Sequence, residues 1–179
     1  MESIIEKVTM KFLEESRLLS ELLHGFRQNR SCLSRFLLST EQCTYALDED
    51  GMVDVIYTDL MKTFCNVPHK RLIYKLAEIG IRGMLLTWIA HFLTGRLQIV
   101  RVDTSKSTPT LVLRDVPQRS VLGPVLLFVY ISDCVDDLGC SAVMFADDVK
   151  LWRVIRSDFI RHALQKELNR HGKWPAHWF

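Results

Sequence analysis

Apolar residues recur along the chain at spacings that predict several helices. In residues 85–93, Leu85, Trp88 and Ile89 begin a series in which apolar side chains lie three or four positions apart, as on one face of an amphipathic helix. Gly80 follows a similar segment and is placed to end it, because glycine readily adopts the left-handed backbone of a helix terminus. The predicted helices cover residues 2–14, 31–47, 70–79, 85–93 and 120–132, with Pro124 near the first turn of the last of these, and a final helix begins near Ser157.

Runs of β-branched and aromatic residues predict the strands. Residues 53–59 form one such run, and Asp59 is the last of the odd-numbered side chains that share one face of it. The apolar run over residues 142–152 is interrupted by Asp147-Asp148, which predicts a strand, a tight turn and a second strand. Residues 98–103 and 110–114 predict a hairpin with its loop over residues 104–109. Helices and antiparallel strand pairs mix without a regular βαβ rhythm, so the predicted class is α+β.

The composition indicates a globular protein but does not indicate what the protein binds. With 179 residues, 48% hydrophobic side chains and a net charge of +2, the chain has the apolar content of a globular domain and not that of a disordered segment. No apolar run approaches the ~20 residues of a membrane-spanning helix. The amino terminus lacks a signal-peptide pattern, and the five cysteines form no CxxC pair, so we expect an intracellular protein with reduced thiols.

Two carboxylate sites carry the candidate chemistry. Asp59 ends one predicted strand, and Asp147-Asp148 lie at the tip of a predicted hairpin. If these strands are neighbours, three carboxylates cluster, and divalent cations are their natural counter-charge. Oxygen ligands favour Mg²⁺ or Mn²⁺ over zinc, and two such ions about 3.5–4 Å apart support phosphoryl transfer. On the residues alone the alternative stays open that the pair is an ordinary acidic turn and Asp59 a strand-end cap.

Five short blocks of sequence follow one another along almost the whole chain. They are His24-Gly25-Phe26-Arg27 with Arg30-Ser31-Cys32; residues 53–72, with Asp59, Lys62, Phe64, Pro68, His69 and Lys70; residues 80–96, with Trp88, Phe92-Leu93 and Gly95-Arg96; Val116-Pro117-Gln118 with residues 120–124; and Phe145-Ala146-Asp147-Asp148. In their order and spacing, these blocks resemble the reverse transcriptases of non-LTR (LINE-type) retrotransposons. Any one block alone is a weak signal, whereas the whole series is highly specific.

This resemblance implies a fold and an activity. The fold would be a polymerase palm, an antiparallel sheet with packed helices, together with part of the fingers and without a thumb. Residues 1–52 would belong to the fingers, and residues 53–179 to the palm with interleaved finger elements. The activity would be RNA-directed DNA polymerisation, in which a primer 3′-hydroxyl attacks the α-phosphate of a deoxynucleoside triphosphate on an RNA template. The enzyme would work in a ribonucleoprotein, in the nucleus or cytoplasm, with no membrane partner.

The resemblance also implies the metal site. Asp59 and Asp147 would ligate two Mg²⁺ (or Mn²⁺) ions, with Asp148 beside them and the carbonyl oxygen of Leu60 as a further ligand. Positioning and electrostatics supply most of the rate in such transfers.

The resemblance implies the substrate contacts as well. Phe64 would be the steric gate against a ribose 2′-hydroxyl, and Gln118 would line the nucleotide pocket. Arg27 and Arg30 would contact template phosphates. The residues by themselves leave two alternatives open: Phe64 could be a plain core aromatic, and the two arginines could be solvated surface charges.

The sequence departs from the family pattern in its second motif, where Asp115 and Arg119 replace two glycines. Glycine is used where the backbone needs a positive φ, and another residue there costs on the order of 1–3 kcal/mol. Arg119 also places a long cation beside the nucleotide pocket, and Cys65 replaces a second aspartate of the first motif.

The resemblance further predicts a chain truncated at both ends. The chain begins after one family segment and stops before another, so we expect a degenerate copy with low activity by itself. The alternatives are a non-catalytic module that binds nucleic acid or protein, and a metal-dependent nuclease that uses the same carboxylates. The histidines at 69, 91, 171 and 177 and the thiols Cys134 and Cys140 are expected to be structural or exposed and not metal ligands.

Overall fold

The computed structural model describes residues 1–25, 27, 30–49, 51–60 and 63–178, with all of their side chains except those of residues 32, 35, 38 and 175–178. Its α-helices are α1 (Glu2–Glu15), α2 (Cys32–Asp48), α3 (Thr63–Asn66), α4 (His69–Glu78), α5 (Gly83–Leu93), α6 (Gly123–Ile131) and α7 (Asp158–Trp178), and a 3-10 turn covers Ser132–Val135. Its strands are β1 (Leu23–His24), β2 (Met52–Asp59), β3 (Leu97–Gln98), β4 (Arg101–Val102), β5 (Ser105–Lys106), β6 (Thr110–Leu111), β7 (Ser141–Phe145) and β8 (Asp148–Ile155). This arrangement confirms the α+β class.

Local signals account for the helix ends. Ser31 caps α2, because its Oγ accepts from the Ser34 amide at 3.1 Å while the Ser34 Oγ accepts from the Ser31 amide at 2.8 Å. Gly80 takes a φ of +97° just after α4, as the sequence predicts. Pro124 lies in the first turn of α6, where its missing N–H costs no hydrogen bond.

The central sheet has four strands in the order β1-β7-β8-β2. β2, β8 and β7 are antiparallel neighbours, but Leu23 and His24 of β1 run parallel to Met144 and Phe145 of β7. The predicted antiparallel sheet is therefore wrong in one strand, and the sheet is mixed. A two-residue strand is too short to show an alternating pattern, so the sequence carries no local sign of β1.

The hairpin after α5 also differs from its prediction. Leu97 and Gln98 pair with Leu111 and Thr110, as expected, but a second short ladder joins β4 to β5 near the tip. The turn lies at Asp103-Thr104, with Asp103 at a φ of +51°, so the predicted loop over residues 104–109 is misplaced. Every residue of both ladders is exposed, and no buried face marks their register in the sequence.

Helices cover both faces of the sheet. α6 is buried along nearly its whole length and forms the centre of the core, together with side chains such as Met144, Val149 and Leu151 from one face of the sheet. α2 contacts β2 and β7 on the opposite face, where Ser39 is buried. Among the described residues, none of the helices combines the length and the apolar character needed to span a bilayer.

Candidate active site

The carboxylates singled out in the sequence come together at one end of the sheet. Asp59 and Asp148 are direct cross-strand partners in the antiparallel pair of β2 and β8, so their side chains project from the same face. The amide of Leu60 donates to the carbonyl oxygen of Asp147 at 3.3 Å, which ties the end of β2 to the turn between β7 and β8. The strands that carry these acids are therefore neighbours, as the predicted clustering of the three carboxylates requires.

The turn that carries Asp147 rests against the chain around β1. Ala146 adopts a φ of +55°, which closes the tight turn, and its amide donates to the carbonyl oxygen of His24 at 3.2 Å. Gly25 has a φ of +107°, and a Cβ built on it would lie 3.3 Å from the Ala146 nitrogen. Glycine is therefore favoured at position 25, because any other residue would be strained by the backbone conformation and crowded by the close approach of the turn.

The two other acids affect the pKa of Asp147. Burial raises the pKa of Asp147 above its usual value, and the charges of Asp59 and Asp148 raise it further, while a backbone hydrogen bond acts in the opposite direction. Among the described residues, no three His, Cys, Asp or Glu side chains converge closely enough to hold a metal ion as they stand. The donor set is nonetheless three carboxylates on one edge, the oxygen chemistry that Mg²⁺ or Mn²⁺ prefers, and a cation would relieve their mutual repulsion.

The carbonyl oxygen of Leu60 is already occupied by hydrogen bonds. It accepts from the Thr63 amide at 3.2 Å and also from the Thr63 hydroxyl. These two bonds use both lone pairs of the oxygen, so metal ligation through Leu60 would require Thr63 to release one of them.

A cavity of about 400 Å³ opens beside Asp59 and Asp148, between the sheet and α2. Lys150, only 9% exposed, donates from Nζ to the Ser39 hydroxyl at 2.9 Å and lies 5.5 Å from the centre of the Tyr57 ring. This buried lysine was not among the residues predicted from the sequence. Its position two residues after Asp148, on the same face of β8, was the available signal.

Residues of the first and second motifs meet at a separate cavity of about 730 Å³. Phe64 is half-buried against the core, and its carbonyl oxygen accepts from the Val116 amide at 2.8 Å. Gln118 is exposed and donates from Nε2 to the Cys65 sulfur at 3.5 Å. The structure thus places Phe64, Cys65 and Gln118 near one another, although they come from chain segments about fifty residues apart.

Asp115 and Arg119, which the resemblance places at glycine positions, both have positive φ angles, +139° and +66°. The expectation that these positions call for glycine is confirmed in the backbone. The φ of Asp115 lies in a region that side-chain-bearing residues rarely enter, whereas Arg119 is in the left-handed helical region.

Replacing Arg119 by glycine is expected to stabilise the protein by about 1 kcal/mol, because Arg119 is exposed and its left-handed backbone is strained. For a chain of this length that is a rise of about 2–4 °C in the unfolding midpoint. Differential scanning calorimetry measures it, with Arg156→Gly as the control, since Arg156 is exposed but lacks a positive φ. An equal or lower midpoint for Arg119→Gly would contradict the strain at this position.

The two arginines predicted to contact template phosphate are engaged within the protein. Arg27, only 8% exposed, donates from Nε and Nη2 to the two carboxylate oxygens of Glu14, each at 2.7 Å, and also to the Ser20 carbonyl. Arg30 forms an ion pair with Glu21. Arg27 is thus not a solvated surface charge, and a role in template binding stays a prediction for both residues.

The histidines and cysteines mostly behave as expected. His69 and His171 are buried and hydrogen-bonded, and His91 is exposed. Burial raises the pKa of Cys134 to about 12, which makes it an unreactive thiol, and burial also raises the pKa of Cys140. Phe26, Lys62 and the side chains of Cys32 and His177, which belong to the sequence predictions, lie outside the described part of the chain.

Comparison with known proteins shows the family of the chain. The family described as reverse transcriptase (RNA-dependent DNA polymerase) matches residues 3–175. The chain is 27% identical over 188 residues to the "Probable RNA-directed DNA polymerase from transposon BS" of Drosophila melanogaster, an alignment that covers 99% of the chain and 20% of that protein. It is 26% identical over 176 residues to the RNA-directed DNA polymerase from mobile element jockey of Drosophila funebris, covering 92% of the chain and 19% of that protein.

The chain matches only one part of each of these relatives. The chain spans about a fifth of the length of the curated relatives it matches. Within that fifth the family match extends over nearly every residue and includes the three acids that meet at the end of the sheet. The chain therefore belongs to the reverse transcriptase (RNA-dependent DNA polymerase) family.

Proposed function

We propose that this chain is the catalytic part of an RNA-directed DNA polymerase of a non-LTR retrotransposon. It would transfer a nucleotide from a deoxynucleoside triphosphate to a primer 3′-hydroxyl. The observation that carries the proposal is the cross-strand pairing of Asp59 with Asp148, with Asp147 in the adjoining turn. An ordinary acidic turn has no reason to lie opposite a third carboxylate, because like charges placed directly opposite each other destabilise a sheet.

In this proposal Asp59, Asp147 and Asp148 hold two divalent cations. Bound there, Mg²⁺ or Mn²⁺ would neutralise phosphate charge and stabilise the attacking and leaving oxygens. The chain contributes the fixed strand ends that bring the carboxylates together, and deprotonated Asp147 is favoured once a cation offsets its acidic neighbours.

Phe64 and Gln118 form the nucleotide side of the proposed site. Phe64, fixed through the bond from the Val116 amide to its carbonyl, would act as the steric gate, and Gln118 would contact the nucleotide. An RNA template and a DNA primer are the proposed partners, with Arg27 and Arg30 on the template side. Residues 1–52 would be part of the fingers and residues 53–179 the palm with interleaved finger elements.

Primer extension on an RNA template tests the proposal. We expect a low level of deoxynucleotide incorporation with Mg²⁺ or Mn²⁺, and its loss in Asp147→Ala. Asp158→Ala is the matched control, because Asp158 is an exposed acid in the first turn of α7, away from the carboxylate cluster, and this variant should extend primers like the parent chain.

A second function is favoured by the strained turn at Asp115 and Arg119. A chain that has lost both glycines of this motif could retain the fold as a nucleic-acid-binding module without catalysis. Salt-dependent binding to a primer–template duplex, without extension at any concentration of Mg²⁺ or Mn²⁺, would support this function and overturn polymerisation by this chain.

A further inference from the structure

The backbone of Asp115 is held from three sides. Its amide donates to the carbonyl oxygen of Val67 at 3.1 Å. Its carbonyl oxygen accepts from Arg96 Nη2 at 2.8 Å and from His69 Nε2 at 2.9 Å. A residue at a φ of +139° persists only where its surroundings over-determine its conformation, and these three bonds do so.

Arg96 is the centre of this arrangement. Besides its bond to the Asp115 carbonyl, it donates from Nε to the carbonyl oxygen of Leu93, the last residue of α5, at 3.0 Å. Its Nη1 lies 3.2 Å from the Asp115 carboxylate. A planar guanidinium can reach all three acceptors at once, which a lysine ammonium on a flexible stem does not reproduce.

The turn fixed in this way carries the second motif. Val116, the next residue, is bonded through its amide to the Phe64 carbonyl at 2.8 Å. Gln118 follows two residues later, and Arg96, Asp115 and Gln118 line the same cavity of about 730 Å³. The position of Gln118 relative to Phe64 therefore depends on how the turn is anchored at Asp115.

We propose that Arg96 is a positioning residue of the nucleotide pocket: by holding the Asp115 carbonyl, it sets the turn that presents Gln118 to this cavity, beside Cys65. This inference rests on the proposed function, since it assigns a nucleoside triphosphate to that pocket. The role proposed for Arg96 is exerted through the Asp115 carbonyl. The essential acceptor is the backbone carbonyl, which every residue at position 115 supplies, while the Asp115 side chain adds only a partly exposed ion pair.

Substitutions can separate the bond from Arg96 to the Asp115 carbonyl from the ion pair between Arg96 and the Asp115 carboxylate. Arg96→Ala removes all donors to the carbonyl from this side chain, whereas Asp115→Gly keeps the carbonyl, removes the carboxylate and suits the positive φ. We expect Arg96→Ala to weaken binding of a deoxynucleoside triphosphate with Mg²⁺ by about tenfold or more, as displaced site residues commonly do. Arg96→Lys should recover only part of this loss.

Hydrogen exchange gives a second measurement that needs no nucleotide. In Arg96→Ala the amides of residues 115 and 116 should exchange several-fold faster, while those of the buried helix α6 should keep their protection. Asp115→Gly should leave the exchange at residue 116 unchanged.

The outcomes distinguish this inference from the proposed function. If the parent chain binds no nucleotide but Arg96→Ala accelerates exchange only at the turn, the proposed function fails and the anchoring role of Arg96 stands. Unchanged exchange at residues 115 and 116 in Arg96→Ala would overturn the inference. Equal acceleration in the turn and in α6 would also overturn it, because Arg96 would then act on the whole fold.

Discussion

Asp147→Asn is expected to stabilise the cation-free protein and, at the same time, to remove most of its affinity for Mg²⁺ or Mn²⁺. In the parent chain Asp147 is half-buried beside Asp59 and Asp148, and both burial and these charges disfavour its ionised form. Asparagine has nearly the same shape and no charge. The gain should be on the order of 1 kcal/mol, because the group is partly exposed and water screens the repulsion.

The loss of cation binding should be larger than the gain in stability. Outer-shell partners of a metal site are worth about 10- to 100-fold in affinity, and removal of a proposed ligand should cost at least as much. Isothermal titration with Mn²⁺ measures the affinity, and thermal unfolding in a chelating buffer measures the stability of the same two proteins.

Asp137→Asn is the matched control for this prediction. Asp137 is exposed, and its φ of +57° is one that asparagine tolerates well, so the substitution removes one charge without straining the backbone. It should change neither Mn²⁺ binding nor the unfolding midpoint appreciably. A less stable Asp147→Asn, or one that binds Mn²⁺ like the parent chain, would contradict the proposed carboxylate site.

Asp133→Ala is expected to destabilise the fold by about 2–3 kcal/mol, the usual worth of a hydrogen bond to a charged group that is then left unsatisfied. Lys75 Nζ, whose side chain is 12% exposed, lies 2.8 Å from the Asp133 carboxylate and donates to the Tyr130 carbonyl at 2.6 Å. Burial lowers the pKa of Lys75, and Asp133 offsets that cost. Without the carboxylate, a largely buried ammonium loses its counter-charge.

The same carboxylate joins three parts of the chain. The indole N–H of Trp174 in α7 donates to Asp133 at 3.2 Å, and Lys75 of α4 lies 6.0 Å from the centre of the Trp174 ring. Lys75→Met is the matched variant: it removes the charge but retains most of the side-chain volume, and the remaining Asp133 is 36% exposed and can be hydrated. Lys75→Met should therefore cost clearly less than Asp133→Ala.

Urea denaturation with a common slope measures both variants, since a change in the midpoint alone reports stability. If Lys75→Met were the more damaging of the two, the stabilising part of the cluster would be the ammonium's bond to the Tyr130 carbonyl and its contacts with the Tyr130 and Trp174 rings, and not the compensation of its charge by Asp133.

Periodicity and turn chemistry predicted most of the elements. The spacing of Leu85, Trp88 and Ile89 predicted α5, Gly80 marked the end of α4, and the interruption at Asp147 predicted the turn between β7 and β8. These signals are local, because a helix or hairpin repeats its pattern within a few residues. Where an element was only two residues long, as in β1 and the outer hairpin ladder, no pattern could form and the prediction failed.

By itself the sequence determined which residues carry the candidate chemistry and which turn positions call for glycine. The tertiary structure alone decided how they meet: Asp59 opposite Asp148, Lys150 beneath α2, and Arg96 on the carbonyl of Asp115. Arg27, an exposed cation in either sequence-based interpretation, is buried against Glu14. These pairings join residues that are distant in the chain, and hydrophobic periodicity is a local signal that does not specify which strand, helix or turn will lie next to another.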